Sequence, residues 1–98
     1  MKFEDLPRDG VGGVVIEEVE FPVEIPLLRP VEADGAKLES VTLREPTAAD
    51  IELCHRHGHD ATRMVHLLAM LGDLSPGQVR ALKGVDFMRA SKLVSDFL

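Results

Sequence analysis

A strict alternation of apolar and polar residues opens the patterned part of the chain. The apolar set is Val19, Phe21, Val23, Ile25 and Leu27, and the intervening set is Glu18, Glu20, Pro22, Glu24 and Pro26. A period of two over nine residues predicts a β-strand that buries one face. Both prolines fall in the outward set and lack an amide donor, so we expect this strand to lie at an edge or to be locally distorted.

The same alternation returns in Val41-Thr42-Leu43-Arg44 and predicts a second strand from about Leu38 to Glu45. Between the two strands, Ala33-Asp34-Gly35-Ala36 supplies a turn with a glycine available for a positive φ angle. The two strands therefore form a β-hairpin over residues 19–45. A lone hairpin is marginal in water, so its apolar face needs helices or another chain.

The remainder, residues 47–98, changes to a helical period and predicts four short helices. The first runs from about Ala48 to Arg56, and Thr47 and Asp50 form its capping box. The second is capped by Asp60 and ends at Gly72.

The third helix opens with a capping box at Ser75 and ends near Gly84, with Pro76 at its first position. Asp86 is predicted to cap the fourth helix, whose apolar face is Phe87, Ala90, Val94 and Phe97. The predicted fold is therefore α+β, an N-terminal β-hairpin followed by a small bundle of four short helices. Residues 1–18 show no periodicity and are predicted to be a flexible arm before a single domain over 19–98.

Composition narrows the range of functions. The net charge is −6 and only four residues are aromatic, all Phe, which argues against nucleic acid because such sites need cations and stacking rings. No segment approaches the roughly 20 apolar residues of a membrane helix, and Val14-Val15-Ile16 runs directly into Glu17-Glu18 rather than forming a signal peptide. A single cysteine fits a reducing compartment. We expect a soluble, cytosolic protein.

One run of potential metal ligands stands out, comprising Cys54, His55, His57 and His59. Thiolate and imidazole both bind metals, but the spacing suits a helical site poorly. Only His55 and His59 are four residues apart, and Gly58 interrupts them. The favoured interpretation is a set of polar residues at a helix C-terminus, where His and Arg meet the last carbonyls. A small metal-binding module is the alternative.

Catalytic patterns are missing from the chain. No Ser-His-Asp grouping occurs in a glycine-rich elbow, and Gly10-Val11-Gly12-Gly13 neither follows a strand nor opens a helix, so it is interpreted as a linker. We therefore expect no enzymatic activity and no cofactor.

The second helix carries more apolar residues than one packing face of a small bundle needs. These are Met64, Leu67, Leu68, Met70 and Leu71. Leu- and Met-rich surfaces adapt to varied or helical partners, so this set is the predicted partner-binding site.

From about Phe21 to Leu98 the sequence resembles the tail assembly chaperones of Mu-like and P2-like contractile-tailed bacteriophages and prophages. The resemblance lies in three segments: Val41-Thr42-Leu43-Arg44-Glu45-Pro46-Thr47 with Asp50, the stretch Leu67-Leu68-Ala69-Met70-Leu71-Gly72-Asp73-Leu74-Ser75-Pro76, and the terminal helix from Asp86. Their order and spacing extend over the whole domain.

The resemblance implies a protein that binds the phage tape measure protein and keeps it soluble until tail tube subunits polymerise around it. It also implies production in the host cytoplasm, absence from the finished virion and no catalytic residues. Self-association through apolar helix faces is a further expectation. The alternative functions are the metal-binding module and a generic protein-interaction adaptor.

Overall fold

The computed structural model describes residues 20–97, and the predicted arm over 1–18 lies outside them, as do Val19 and Leu98. The elements are β1 (Val23–Ala33), β2 (Ala36–Leu43), α1 (Ala48–Cys54), α2 (Asp60–Gly72), α3 (Pro76–Ala81) and α4 (Gly84–Val94), followed by a 3₁₀ turn (Ser95–Phe97). The predicted class, an antiparallel hairpin followed by four helices, is confirmed.

The hairpin is closed by the two-residue turn Asp34-Gly35, in which both residues have positive φ, 51° and 78°. β1 begins at Val23, later than predicted, and continues past the predicted end at Leu27 through an irregularity in the register. There, four residues of β1, from Leu27 to Pro30, lie opposite Glu39 alone. The prolines account for the distortion, since Pro26 and Pro30 cannot donate to a ladder.

The predicted alternation of β1 is confirmed over the described residues. Ile25 and Leu27 are buried, Phe21 and Val23 pack against the core, and Pro22, Glu24 and Pro26 are exposed. The hairpin thus contributes one apolar face to the core, and the helices cover that face.

Two predicted helix starts are confirmed in detail and two need correction. Thr47 and Ser75 each form a complete capping box, with Asp50 and Gln78 respectively. Asp60 is not a cap but the first residue of α2, and the N-cap is His59, without a side-chain hydrogen bond.

The fourth helix begins earlier than predicted, with Lys83 as its N-cap, so Asp86 is not a cap either. Its carboxylate instead accepts the backbone amides of Leu28 and Arg29, both at 2.9 Å. These amides belong to the irregular stretch of β1, so the carboxylate supplies the acceptors that a regular strand partner would have offered.

The second helix lies at the centre of the fold and packs against β2, α1, α3 and α4. Leu67 and Leu68 are 0% and 1% exposed, and Met64 and Leu71 are also buried. The expectation that α2 carries more apolar surface than the bundle can bury is therefore wrong for these four. A helix that contacts four other elements uses more than one face.

Candidate docking groove

A groove of about 550 Å³ runs between the end of α1, the outer side of α2 and the start of α3. Its lining residues are Leu53, Arg56, His57, His66, Ala69, Met70, Asp73, Leu74 and Pro76. We call this cleft the Met70 groove. Its volume falls within the range that proteins use to hold small ligands or a few side chains of a partner.

The floor of the groove is apolar. Ala69 is buried, while Met70, Leu74 and Pro76 are half-buried. Leu53 of α1 stands at the margin with 42% of its surface exposed. A partner side chain that entered here would gain contact with aliphatic groups on both sides.

One wall is formed by the connection between α1 and α2. The Nε of Arg63 donates to the carbonyl of His57 at 2.7 Å, which fixes the backbone of the connection onto α2. The imidazole of His57 stacks on that of His66, with centroids 3.6 Å apart and planes 3° from parallel. Two contacts from α2 therefore set the position of this wall.

The rim carries few charges. Burial, followed by the neighbouring His57 and Arg80, lowers the pKa of His66, so its ring is neutral at pH 7. Arg56 and Asp73 are exposed and supply one charge of each sign. The groove therefore suits an apolar side chain with polar neighbours, the chemistry of an amphipathic segment.

The Leu43–Asp50 segment, which is part of the resemblance, connects β2 to α1 and is held in place by hydrogen bonds between its own residues. Arg44 Nη1 and Nη2 donate to the two carboxylate oxygens of Asp50 at 2.6 and 3.0 Å. The same carboxylate accepts the amide of Thr47 at 2.8 Å. The Arg44 hydrogen bonds, then that amide, hold the pKa of Asp50 far below its usual range. This motif therefore orients α1, which supplies one side of the groove.

The five predicted partner-binding residues divide between the core and the groove. Only Met70 lines the groove, whereas the other four are core residues. Their role in partner binding stays a prediction. Sequence reasoning missed Leu53, Leu74 and Pro76; the available signal was Leu53, an apolar residue directly after Glu52 and before the polar run from His55 to Asp60.

The candidate metal ligands do not converge. Cys54 is fully buried, its thiol donates to the carbonyl of Ile51 at 3.2 Å, and burial raises its pKa. His57 is engaged in the stack, while His55 caps α1 and His59 caps α2, both exposed. Within residues 20–97, no three His, Cys, Asp or Glu side chains are grouped as metal ligands.

None of the helices in this part of the chain has the length and apolar character needed to cross a membrane. A family model described as "Phage tail assembly chaperone proteins, E, or 41 or 14" matches residues 24–98. No curated protein and no solved structure matches the chain.

Proposed function

Since the chain belongs to the family of phage tail assembly chaperone proteins, we propose that it binds the tape measure protein and keeps it soluble until tail tube subunits polymerise around it. The observation that supports this most directly is the Met70 groove, a largely apolar cleft open to solvent. The proposed activity is binding alone, without a catalytic step or a cofactor.

The proposed contact is a helix of the client lying along the groove. A tape measure protein is a long, largely helical rod, and before assembly its apolar stripe faces water. Amphipathic helices dock into apolar grooves through anchor residues three or four positions apart. Met70 suits this use because its unbranched thioether adapts to side chains of different shapes.

Of the predicted binding residues, we retain Met70 as a direct contact. The other four, Met64, Leu67, Leu68 and Leu71, are proposed to act indirectly, because they hold α2 in place beneath the groove. A charged substitution at Leu67 would enter the core and unfold the domain, so it does not test binding.

The acidic surface supports the second part of the proposal. A net charge of −6 on each bound copy keeps a coated client apart from other coated clients and in solution. A rod with a repeated apolar stripe can bind many copies through individually weak contacts, which allows their release when the tube forms. We place this activity in the host cytoplasm and expect no copies in the finished virion.

The test is co-expression with the tape measure protein, measured as the fraction of that protein that stays soluble and co-purifies. We expect the wild type to raise that fraction and Leu53→Glu with Met70→Glu to abolish the effect. Ala49→Glu with Ala61→Glu is the matched control, because both alanines are exposed on α1 and α2 and neither lines the groove.

Two results would contradict the proposal. If the tape measure protein is equally insoluble with and without the wild-type chain, this is not its chaperone. If the Leu53/Met70 variant, shown by circular dichroism to be folded, protects as well as the wild type, the client binds elsewhere.

A further inference from the structure

An exposed stripe of side chains runs along the solvent side of α4. Val85 is 42% exposed and Met88 56%, and the exposed Lys92 continues the line, because positions three and four apart share one face of a helix. Lys92 forms no ion pair with another residue of the range 20–97. We call Val85, Met88 and Lys92 the α4 stripe. In chain order it presents two apolar side chains and then a cation.

The direction of α4 relative to β1 determines where the chain that precedes β1 meets the domain. Near the start of α4, the carboxylate of Asp86 accepts the amide of Leu28 at 2.9 Å. Just after the end of α4, the ring of Phe97 contacts the ring of Phe21, with centroids 6.2 Å apart. The helix and the strand are therefore antiparallel. The residues before Phe21 join the described domain at the C-terminal end of α4.

Those preceding residues have the same order of chemical types as the α4 stripe. Alternate side chains of an extended segment share one side, so an extended stretch over residues 14–18 would place Val14, Ile16 and Glu18 on one side. This side carries two apolar residues and then an anion. The family model matches from residue 24 onward, so the family says nothing about this segment.

We propose that residues 14–18 dock along the α4 stripe of the same chain. The segment then runs in the direction of α4, because it must end beside the Phe97 contact. The paired positions are, in chain order, Val14 with Val85, Ile16 with Met88, and Glu18 with Lys92. Docking removes exposed apolar side chains of both segments from water and gives the cation of the stripe an anion.

The lengths of the two segments agree. The α4 stripe rises about 10 Å along the helix from its first residue to its last, and residues 14–18 span about 13 Å when extended. From Lys92 to Phe97 the chain rises about 8 Å, and the extended connection from Glu18 to Phe21 spans about 10 Å. A connection this short favours docking within one chain over docking between copies, because it keeps the segment concentrated at the stripe.

The experiment measures the heteronuclear NOE of each backbone amide of the full-length chain by NMR, which reports order on the picosecond-to-nanosecond timescale. In the wild type we expect residues 14–18 to give the values of the domain and residues 1–9 to give lower ones. Val85→Glu or Met88→Glu places a carboxylate in the apolar half of the stripe and should lower the values of residues 14–18 to those of residues 1–9. Leu53→Glu, at the margin of the Met70 groove, is the matched control, because Leu53 and Val85 are both 42% exposed. It should leave residues 14–18 ordered.

The charged pair tests the alignment of the two segments. Glu18→Lys and Lys92→Glu, each alone, oppose like charges and should lower the values of residues 14–18. The double variant restores opposite charges and should recover the wild-type values, which a variant that had unfolded could not do. If neither single variant has an effect, the proposed contact between Glu18 and Lys92 is wrong.

Three further results would overturn the proposal. The first is a wild type in which residues 14–18 are as disordered as residues 1–9. The second is release of the segment by Leu53→Glu instead of Val85→Glu, since the segment would then occupy the Met70 groove. The third is loss of order on dilution, since a second copy would then supply the segment. Client solubility is not part of this measurement, so the docked segment and the proposed function can fail separately.

Discussion

The carboxylate of Asp86 accepts the backbone amide of Leu28 at 2.9 Å, although 58 positions of sequence separate the two residues. The amide of Arg29 and the guanidinium of Arg89 complete its coordination, at 2.9 and 2.8 Å. Burial alone would raise the pKa of Asp86, but the two amides and then Arg89 outweigh burial and lower it. The buried carboxylate of Asp86 is therefore fully paired, and it lies where the register between β1 and β2 is irregular.

Removing this carboxylate should destabilise the whole domain. Asp86→Ala leaves the amides of Leu28 and Arg29 without an acceptor and removes the ion pair with Arg89, and we expect it to lower the free energy of unfolding by on the order of 2 kcal/mol. Asp86→Asn keeps one acceptor oxygen and should cost less. Urea denaturation measures both, with the exposed Asp96→Asn as control. An Asp86→Ala variant as stable as the control would mean that water replaces the carboxylate at no cost.

Protonation of the Asp50 and Asp86 carboxylates should destabilise the folded protein in acid. Both carboxyl groups have a pKa below the unfolded value of about 3.9. The stability they contribute is therefore complete above that value and is lost as the pH falls through their folded-state pKa. We expect the free energy of unfolding to fall steeply below about pH 4. Asp50→Asn should be less stable at neutral pH and flatter across the acid range; an unchanged slope would contradict this assignment.

Much of the fold could be predicted because its signals are local. The turn Asp34-Gly35 and the two capping boxes each lie within four consecutive residues, and the structure forms all three. The true partners of Asp86 could not be predicted, because they lie on a strand far away in sequence. Locally, an acidic residue before an apolar run favours a helix cap, which was the wrong interpretation here.

The candidate site was harder to predict for a similar reason. The sequence shows that α2 is rich in apolar residues, but how many of them are buried depends on how many neighbours surround the helix in the assembled fold. Leu67 is completely buried, whereas Met70, three residues later, lines the groove. Leu53, on α1, joins Met70 only through tertiary packing, whereas Leu74 lies close to it because the chain turns back at Asp73, the left-handed C-cap of α2. The periodicity of the sequence predicts the helix, but the packing of neighbouring elements determines which of its residues contact solvent.

Substitution of Gly77 should reveal the contact between the hairpin turn and α3. A Cβ atom at Gly77 would lie 2.9 Å from Oδ2 of Asp34, the carboxylate that accepts the Ser75 hydroxyl. Gly84 occupies a comparable position at the start of α4, and a Cβ there meets nothing within 4 Å. Alanine at a permissive glycine stabilises a protein by about 0.4–1 kcal/mol.

We therefore expect Gly84→Ala to raise the melting temperature and Gly77→Ala to raise it less or lower it. The physical cause is checked by Asp34→Ala, which removes the clashing carboxylate. In that background the two alanine substitutions should have similar effects. Equal gains from both substitutions in the wild-type background would show that the Asp34 side chain moves aside without cost.

His66, which stacks on His57, should make the free energy of unfolding depend on pH near neutrality. The pKa of His66 is lowered from its model-peptide value of 6.5 by burial, then by His57 and Arg80. The folded state thus favours the neutral ring, so stability is complete above pH 6.5 and declines as the pH falls through that value. Aspartates and glutamates of ordinary pKa titrate lower, which separates this decline from acid unfolding. We expect His66→Gln to flatten the dependence of the free energy of unfolding on pH between about pH 7 and pH 5.5. If the wild type shows no decline in this window, protonation does not disturb the stack, and the wall of the Met70 groove is insensitive to pH.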